Sequence, residues 1–223
     1  MTLKTSNSLP LYIEESLDAP LKSVLAVIQN HILLSSTYFG VPTVKPPTDF
    51  WTYQEIIFQI KPDVIIEIGN YYGGSTLALA HLCDLLGKGR ILGIDIDHSR
   101  LHALPKAHPR IKFVESDAVQ ALSIAEEFSA DAAEVLIIED SSHTYDNTLA
   151  VLKAYGKLVT VGSYFIVEDS ICRHGIDDGP APGPYEAIES FVAMDKRFAI
   201  DRSREPFVIT WNPKGYLRKV ADH

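Results

Sequence analysis

Five short apolar runs lie between Val64 and Val167: "VIIEI", "ILGID", "KFVE", "VLIIE" and "YFIV". Each carries a carboxylate within its last two places or directly after them. Val/Ile runs this continuous do not alternate, so they read as strands buried on both faces. Segments of helical period separate most of them, at Thr76–Leu86, Ala118–Phe128 and Tyr145–Lys157. That alternation points to a parallel sheet with helices on both sides. In such a sheet the carboxyl ends of the strands open on one edge, where ligands bind near the point at which strand order reverses. The expected strands are Val64–Ile68, Ile91–Asp95, Lys112–Glu115, Val135–Glu139 and Tyr164–Val167. A Gly/Pro-rich loop, Ser170–Pro184, follows and has the length of a lid or binding loop. A helix at Tyr185–Met194 precedes two strand-like pieces, "RFAIDRS" and "PFVITWN", expected to pair antiparallel at the sheet edge. The fold predicted is α/β, a doubly wound, seven-stranded, mostly parallel sheet with an antiparallel C-terminal pair. Upstream, an amphipathic helix at Leu21–Leu34 leads into the connector "FGVPTVKPPTDFW" and a helix from about Trp51 to Gln59. Residues 1–49 are therefore expected as an N-terminal helix and proline-rich arm, and 50–223 as the main domain.

Charge and composition exclude several classes of function. A formal charge of −9 argues against a nucleic-acid partner. No apolar run approaches the ~18 residues of a membrane span. The first residues lack the unbroken apolar stretch of a secretory signal, and the two cysteines, Cys83 and Cys172, form no CxxC pair. A cytoplasmic location, with neither disulfide framework nor thiolate zinc site, is the expectation.

The turn after the first strand, "EIGNYYGGS", has Gly69, Gly73 and Gly74 where backbone must turn tightly and come close to a ligand. The dinucleotide fingerprint would need glycine at Tyr71. The spacing E-x-G-x-x-x-G-G-S, from Glu67 to Ser75, looks instead like the first motif of S-adenosylmethionine-dependent methyltransferases. Glu67 is then a candidate for the methionine amino group, directly or through water. Asp95, ending the second strand, is placed to accept the ribose hydroxyls, while Asp97 followed by Ser99 reads as turn chemistry. Ser116 and Asp117 end the third strand, where they either meet the adenine edge or, for Asp117, cap the helix expected from Ala118.

The fourth strand runs into "DSSHTYDN" and the fifth into "EDS". If these two strands are neighbours, with axes about 4.8 Å apart, Asp140, Glu168 and Asp169 can converge on one point. Three carboxylates packed together must take up protons, separate or share a cation. A hard divalent ion with oxygen ligands, such as Mg²⁺, answers that conflict. Both Glu168 and Asp169 can face the site only if the strand breaks there. His143, three residues after the first acid, has a side chain suited to proton removal at neutral pH.

At this point the chain resembles a known family, the cephalosporin hydroxylase and rhamnosyl or macrolide-sugar O-methyltransferase group. The resemblance runs from about Tyr38 to Arg218 and rests on "KPPTDFWTYQEII", "PDVIIEIGNYYGGSTLALA", "DSSHTYDNTLAVLKAY", "GSYFIVEDS", "GPAPGPYEAIESF" and "DRSREPFVITWNPKGYLRK". It implies a methyltransferase fold that binds S-adenosylmethionine and magnesium, with metal ligation by Asp140, Glu168 and Asp169 and His143 as the base. It also implies methyl transfer to a hydroxyl of a small-molecule natural product, with a sugar as the leading acceptor, and a homo-oligomer is expected. The alternative within the family is a hydroxylase or hydroxylase-accessory protein that binds the donor without transferring methyl. An iron facial triad would need two histidines and a carboxylate, and only His143 is placed to serve. In the 170–184 loop, Arg173 and His174 are candidate acceptor contacts, as is Tyr145. Arg202 and Arg204 read as ion-pair partners.

Overall fold

A computed structural model describes residues 12–222. Helix α1 (Leu21–Ser35) is followed by a hairpin of β1 (Thr37–Tyr38) and β2 (Val41–Pro42), then α2 (Pro47–Ile60). The main sheet and its helices then alternate: β3 (Val64–Ile68), α3 (Gly74–Leu86), β4 (Arg90–Asp95), α4 (Ala103–Lys106), β5 (Ile111–Glu115), α5 (Leu122–Ser129), β6 (Val135–Glu139), α6 (Tyr145–Tyr155) and β7 (Tyr164–Val167). The chain closes with α7 (Pro184–Met194), β8 (Phe198–Ile200) and β9 (Tyr216–Lys219). Strand order across the seven-stranded sheet is β5-β4-β3-β6-β7-β9-β8, and β9 alone runs against its neighbours. The chain moves outward from β3 through β4 to β5, then returns to the other side of β3 with β6 and β7. The reversal falls between β3 and β6, so a crevice is expected at their carboxyl ends.

Alternate strand residues face opposite layers, as a period of two requires. Ile66, Ile68, Ile137 and Phe165 pack with Leu152 and Tyr155 of α6 and Ile188 and Phe191 of α7. Ile65, Leu136, Ile138 and Ile166 pack with Tyr53, Ile56 and Ile57 of α2 and Leu79 of α3. Helix α1 contributes Leu25 and Ile32 to a smaller cluster with Ile171 and Trp211.

Three sequence expectations are corrected. The partner of "RFAIDRS" in the edge pair is "YLRK", not "PFVITWN". The backbone groups of "PFVITWN" are committed elsewhere: the N–H of Trp211 donates to Asp49 Oδ2 (2.7 Å), and its carbonyl accepts from Ile171. With those groups taken, no ladder is left for that segment to join. Helix α2 begins at Pro47 rather than near Trp51, because proline suits the first helical position, where an N–H has no partner to lose. Helix α5 begins at Leu122 rather than Ala118, after a separate turn in which Asp117 Oδ1 accepts from the N–H groups of Val119 and Gln120. The hairpin β1–β2 was not expected; Phe39 and Gly40 at its tip both take positive φ, as a tight hairpin turn demands.

Candidate active site

A cleft of about 470 Å³ opens at the strand ends around the β3–β6 reversal, a size suited to a small-molecule site. One side is built on the first three strand ends of the sheet and is lined by Gly69, Asn70, Tyr71, Ser75, Asp95, Ser116 and Asp117. The other is lined by Lys45, Asp140, Ser141, Ser142, His143 and Asp169.

Gly69 joins the two sides. Its φ is +90°, and a Cβ there would lie 2.0 Å from the carbonyl oxygen of Asp140. Only glycine lets the ends of β3 and β6 lie this close. On the first side, Asp95 Oδ2 accepts from the N–H groups of both Asn70 and Tyr71 at 2.8 Å, which ties the end of β4 to the glycine turn. Asp97 accepts from the N–H of Ser99, in keeping with a turn. Asp117 lines the cleft and caps the following turn at the same time. The Ser116 hydroxyl donates to the carbonyl of Asp117 at 3.1 Å. Two of the expected donor residues stand back from the cleft wall. Gly73 faces Leu101 and Pro105. Glu67 is fully buried and accepts from the hydroxyl of Thr76, and burial raises its pKa.

On the second side, β6 and β7 are parallel neighbours with Glu139 opposite Val167, so Asp140 and Glu168 follow at the same level. By alternation both continue the rows that face α2 and α3. Asp169 takes φ +55° and His143 φ +54°; these left-handed residues are the points where the chain breaks from strand geometry. His143 Nε2 lies 3.2 Å from Asp169 Oδ2 and 3.9 Å from Asp140 Oδ1. Ligand atoms of Asp140, His143 and Asp169 all fall within 4.8 Å of one another, which is the spacing of a metal-binding group. Glu168 is not in that group. It is buried, and its carboxylate is ion-paired with Lys45, whose Nζ is also 2.5 Å from Asp140 Oδ2.

The electrostatics follow from this crowding. Burial raises the pKa of Glu168, the charge of Asp140 adds to the rise, and Lys45 opposes it. Asp169 is raised by burial, with His143 pulling down and Asp140 pushing up. Burial alone would lower the Lys45 ammonium, but Asp140, Glu168 and Glu67 outweigh it and hold the group firmly protonated.

Lys45 is the site residue that sequence reasoning missed. It lies in "VKPPTD", a stretch read only for its prolines, and its one signal was a lone lysine with no acid beside it. The same stretch supplies Asp49, a buried carboxyl accepting from Thr210, Trp211 and Tyr216. The other candidates fall outside the cleft lining. Arg173 donates to the carbonyl of Gly179, His174 pairs with Glu186 at 2.7 Å and stacks on Tyr185, and the Tyr145 hydroxyl donates to Ser190. Arg202 and Arg204 pair with Glu205 and Asp201.

A cleft at the strand-order reversal, with a glycine turn on one side and a metal-spaced group on the other, agrees with what sequence comparison finds. Residues 30–220 match the model of the rhamnosyl O-methyltransferase/CmcI family. The chain belongs to this family. A rhamnosyl O-methyltransferase of Mycobacterium tuberculosis (strain ATCC 25618 / H37Rv) is 34% identical over 196 residues, covering 84% of this chain and 80% of the relative. The rhamnosyl O-methyltransferase of Mycobacterium leprae (strain TN) is 32% identical over 197 residues, covering 81% and 85%. Among solved structures, ligand-free CmcI matches with a TM-score of 0.66 at 24% identity, covering 83% of this chain and 76% of that one. CmcI with Mg and SAM matches at 0.65 and 21%, covering 98% and 89%. CalS11, a TDP-rhamnose 3'-O-methyltransferase, matches at 0.52 and 18%, covering 86% and 91%. The structural likeness shows that this family member keeps the fold of those enzymes.

Proposed function

We propose that this protein is an S-adenosylmethionine- and magnesium-dependent O-methyltransferase acting on a hydroxyl of a small molecule, a sugar moiety above all. The observation that carries the reading is the shared cleft, in which a glycine turn with a strand-end acid faces a metal-spaced group of side chains. Support for the cofactors and acceptor comes from the relatives: CmcI has been solved with Mg and SAM, CalS11 is named for TDP-rhamnose, and the mycobacterial proteins are rhamnosyl O-methyltransferases.

The residues present fit both groups. Gly69, Ser75, Asp95, Ser116 and Asp117 line the donor side, with Asp95 as the acceptor for ribose hydroxyls. Glu67 and Gly73 act from behind that wall by shaping the turn. Asp140 and Asp169 already stand at metal spacing, and Glu168 would join them as the third carboxylate for a hard divalent ion on release from Lys45. When bound, the donor supplies an electrophilic methyl group and the metal supplies positive charge that favours an ionised acceptor oxygen. His143, whose Nε2 lies 3.2 Å from Asp169 Oδ2, is the base that takes the proton from the acceptor hydroxyl. The two walls of the cleft would orient acceptor and donor, and that orientation would supply most of the acceleration. The same proposal includes a homo-oligomer: Leu17, Leu21 and Leu34 leave apolar surface exposed in and just before α1, and sedimentation reports it directly. Among the described residues, no helix is long and apolar enough to cross a membrane.

The test is transfer of isotope-labelled methyl from S-adenosylmethionine to rhamnosyl and related sugar acceptors, with and without EDTA. Label should move into product, stop with chelation and resume with added Mg²⁺. Donor binding without any label transfer would instead favour a hydroxylase-type or accessory role, and full activity in excess EDTA would remove the metal from the reading.

A further inference from the structure

We infer that Lys45 is a built-in cation of the carboxylate cluster, holding Asp140 and Glu168 when no divalent ion is bound and opposing the binding of one. The inference rests on the metal-dependent reading above and adds to it a residue that sets how tightly the metal is held.

Lys45 comes from the segment between β2 and α2, far from the acids in sequence: its contact with Asp140 spans 95 residues. Its side chain is only 4% exposed, and its Nζ bridges Asp140 and Glu168. A buried ammonium is tolerated only when its charge is matched and its donors are taken. Here the match comes from two carboxylates on neighbouring strand ends, with Glu67 buried close enough to add its charge. The segment is poorly able to swing away. Pro46 and Pro47 directly follow the lysine, Pro47 starts α2, and Asp49 anchors that helix to Thr210, Trp211 and Tyr216. Lys45 is therefore fixed in place, unlike a surface lysine that happens to find an acid.

Two roles are excluded by this setting. A lysine clamped by carboxylates keeps its proton, so it is not the base. Its buried Nζ is occupied by protein carboxylates, so it is not primarily a contact for acceptor or donor. What remains is its charge. The cluster sets more carboxylates than ammonium groups against one another, an excess that a divalent cation would offset. Without Lys45 the excess grows, so the metal-free protein is strained by repulsion while the pull on a dication increases. Lys45 also holds Glu168 away from the point shared by Asp140, His143 and Asp169. Metal binding then has to compete with an ion pair already made.

The experiment uses the full chain and Mn²⁺ as the probe, with free Mn²⁺ read by electron paramagnetic resonance and melting temperature read in EDTA and in Mn²⁺. Lys45→Met should bind Mn²⁺ at least about tenfold tighter than wild type, since a like charge next to the dication has been removed. Its melting temperature should fall in EDTA, and Mn²⁺ should raise it by more than it raises the wild type. Lys45→Arg, which keeps the charge, should stay near wild type, a rescue that a purely space-filling role would not give. Should Lys45→Met fail to fold, Lys45→Gln, which can still donate to Asp140, carries the same expectation. Equal or weaker Mn²⁺ binding by the uncharged variants overturns the inference while leaving the metal reading intact. Absence of Mn²⁺ binding in the wild type and every variant overturns both.

Discussion

The two sides of the cleft are made of different materials. The donor side is built mainly from backbone: two amides of the glycine turn are held by Asp95, across 24 and 25 residues of chain. Its acid is partly exposed to solvent. The metal side is built from side-chain charge, with Asp140, Glu168, Asp169, His143 and Lys45 drawn from three separate parts of the chain. Lys45 and Glu168 are buried there while Asp140, His143 and Asp169 are partly exposed, and the five depend on one another. A backbone site is robust because nearby residues set its geometry, whereas a site of buried charges is only as stable as its least replaceable partner.

Gly69→Ala should break both sides at once. The new Cβ meets the Asp140 carbonyl at 2.0 Å, and the positive φ adds strain, so methyl transfer should be lost along with donor and metal binding. Calorimetry showing either ligand still bound at wild-type affinity would mean that Gly69 does not join the two sides. His143→Ala should affect the metal side alone, lowering turnover by about 10²–10⁴ with donor affinity almost unchanged. A variant with full turnover would take His143 out of the chemistry. Asp95→Ala is the mirror case. Donor affinity should fall by about 10–100-fold, the value of a charged hydrogen bond, while Mn²⁺ binding stays as it was; a matching loss of metal affinity would erase the distinction. The smallest effect concerns the anchor of the arm. Burial raises the pKa of Asp49 from 3.8 to about 6. The folded protein thus holds that proton to higher pH than the unfolded chain, and the group's contribution to stability declines as pH rises through this interval. Asp49→Asn removes the titration, so the stability gap between variant and wild type should narrow from pH 4 to pH 6 in denaturant melts. A constant gap would show that Asp49 titrates normally.

Much of the fold was legible because it is local. Strands β3, β6 and β7 appear at their expected bounds, and β4 and β5 begin one residue earlier than read. Continuous Val/Ile runs can be buried on both faces in few other ways. The edge was harder to read. "PFVITWN" is as apolar as a strand, yet Asp49 takes the Trp211 amide and the Thr210 hydroxyl, and nothing within seven residues of sequence reveals a partner more than 160 residues away. The same divide runs through the site. Asp140 and Glu168 were foreseeable as neighbours because parallel strands place successive ends side by side. The pairing of Glu168 with Lys45, which leaves His143 in the metal-spaced group, was not foreseeable, because the lysine arrives from the arm.

By itself the sequence determined the alternation of strands and helices, the glycine turn, the acids at the strand ends and the family to which the chain belongs. These follow from periodicity and short-range spacing, which act along the chain. Tertiary structure alone decided which charges meet. Desolvation makes a buried acid depend on whichever cation the fold delivers to it, and here the delivery is made by a residue 95 positions upstream of Asp140.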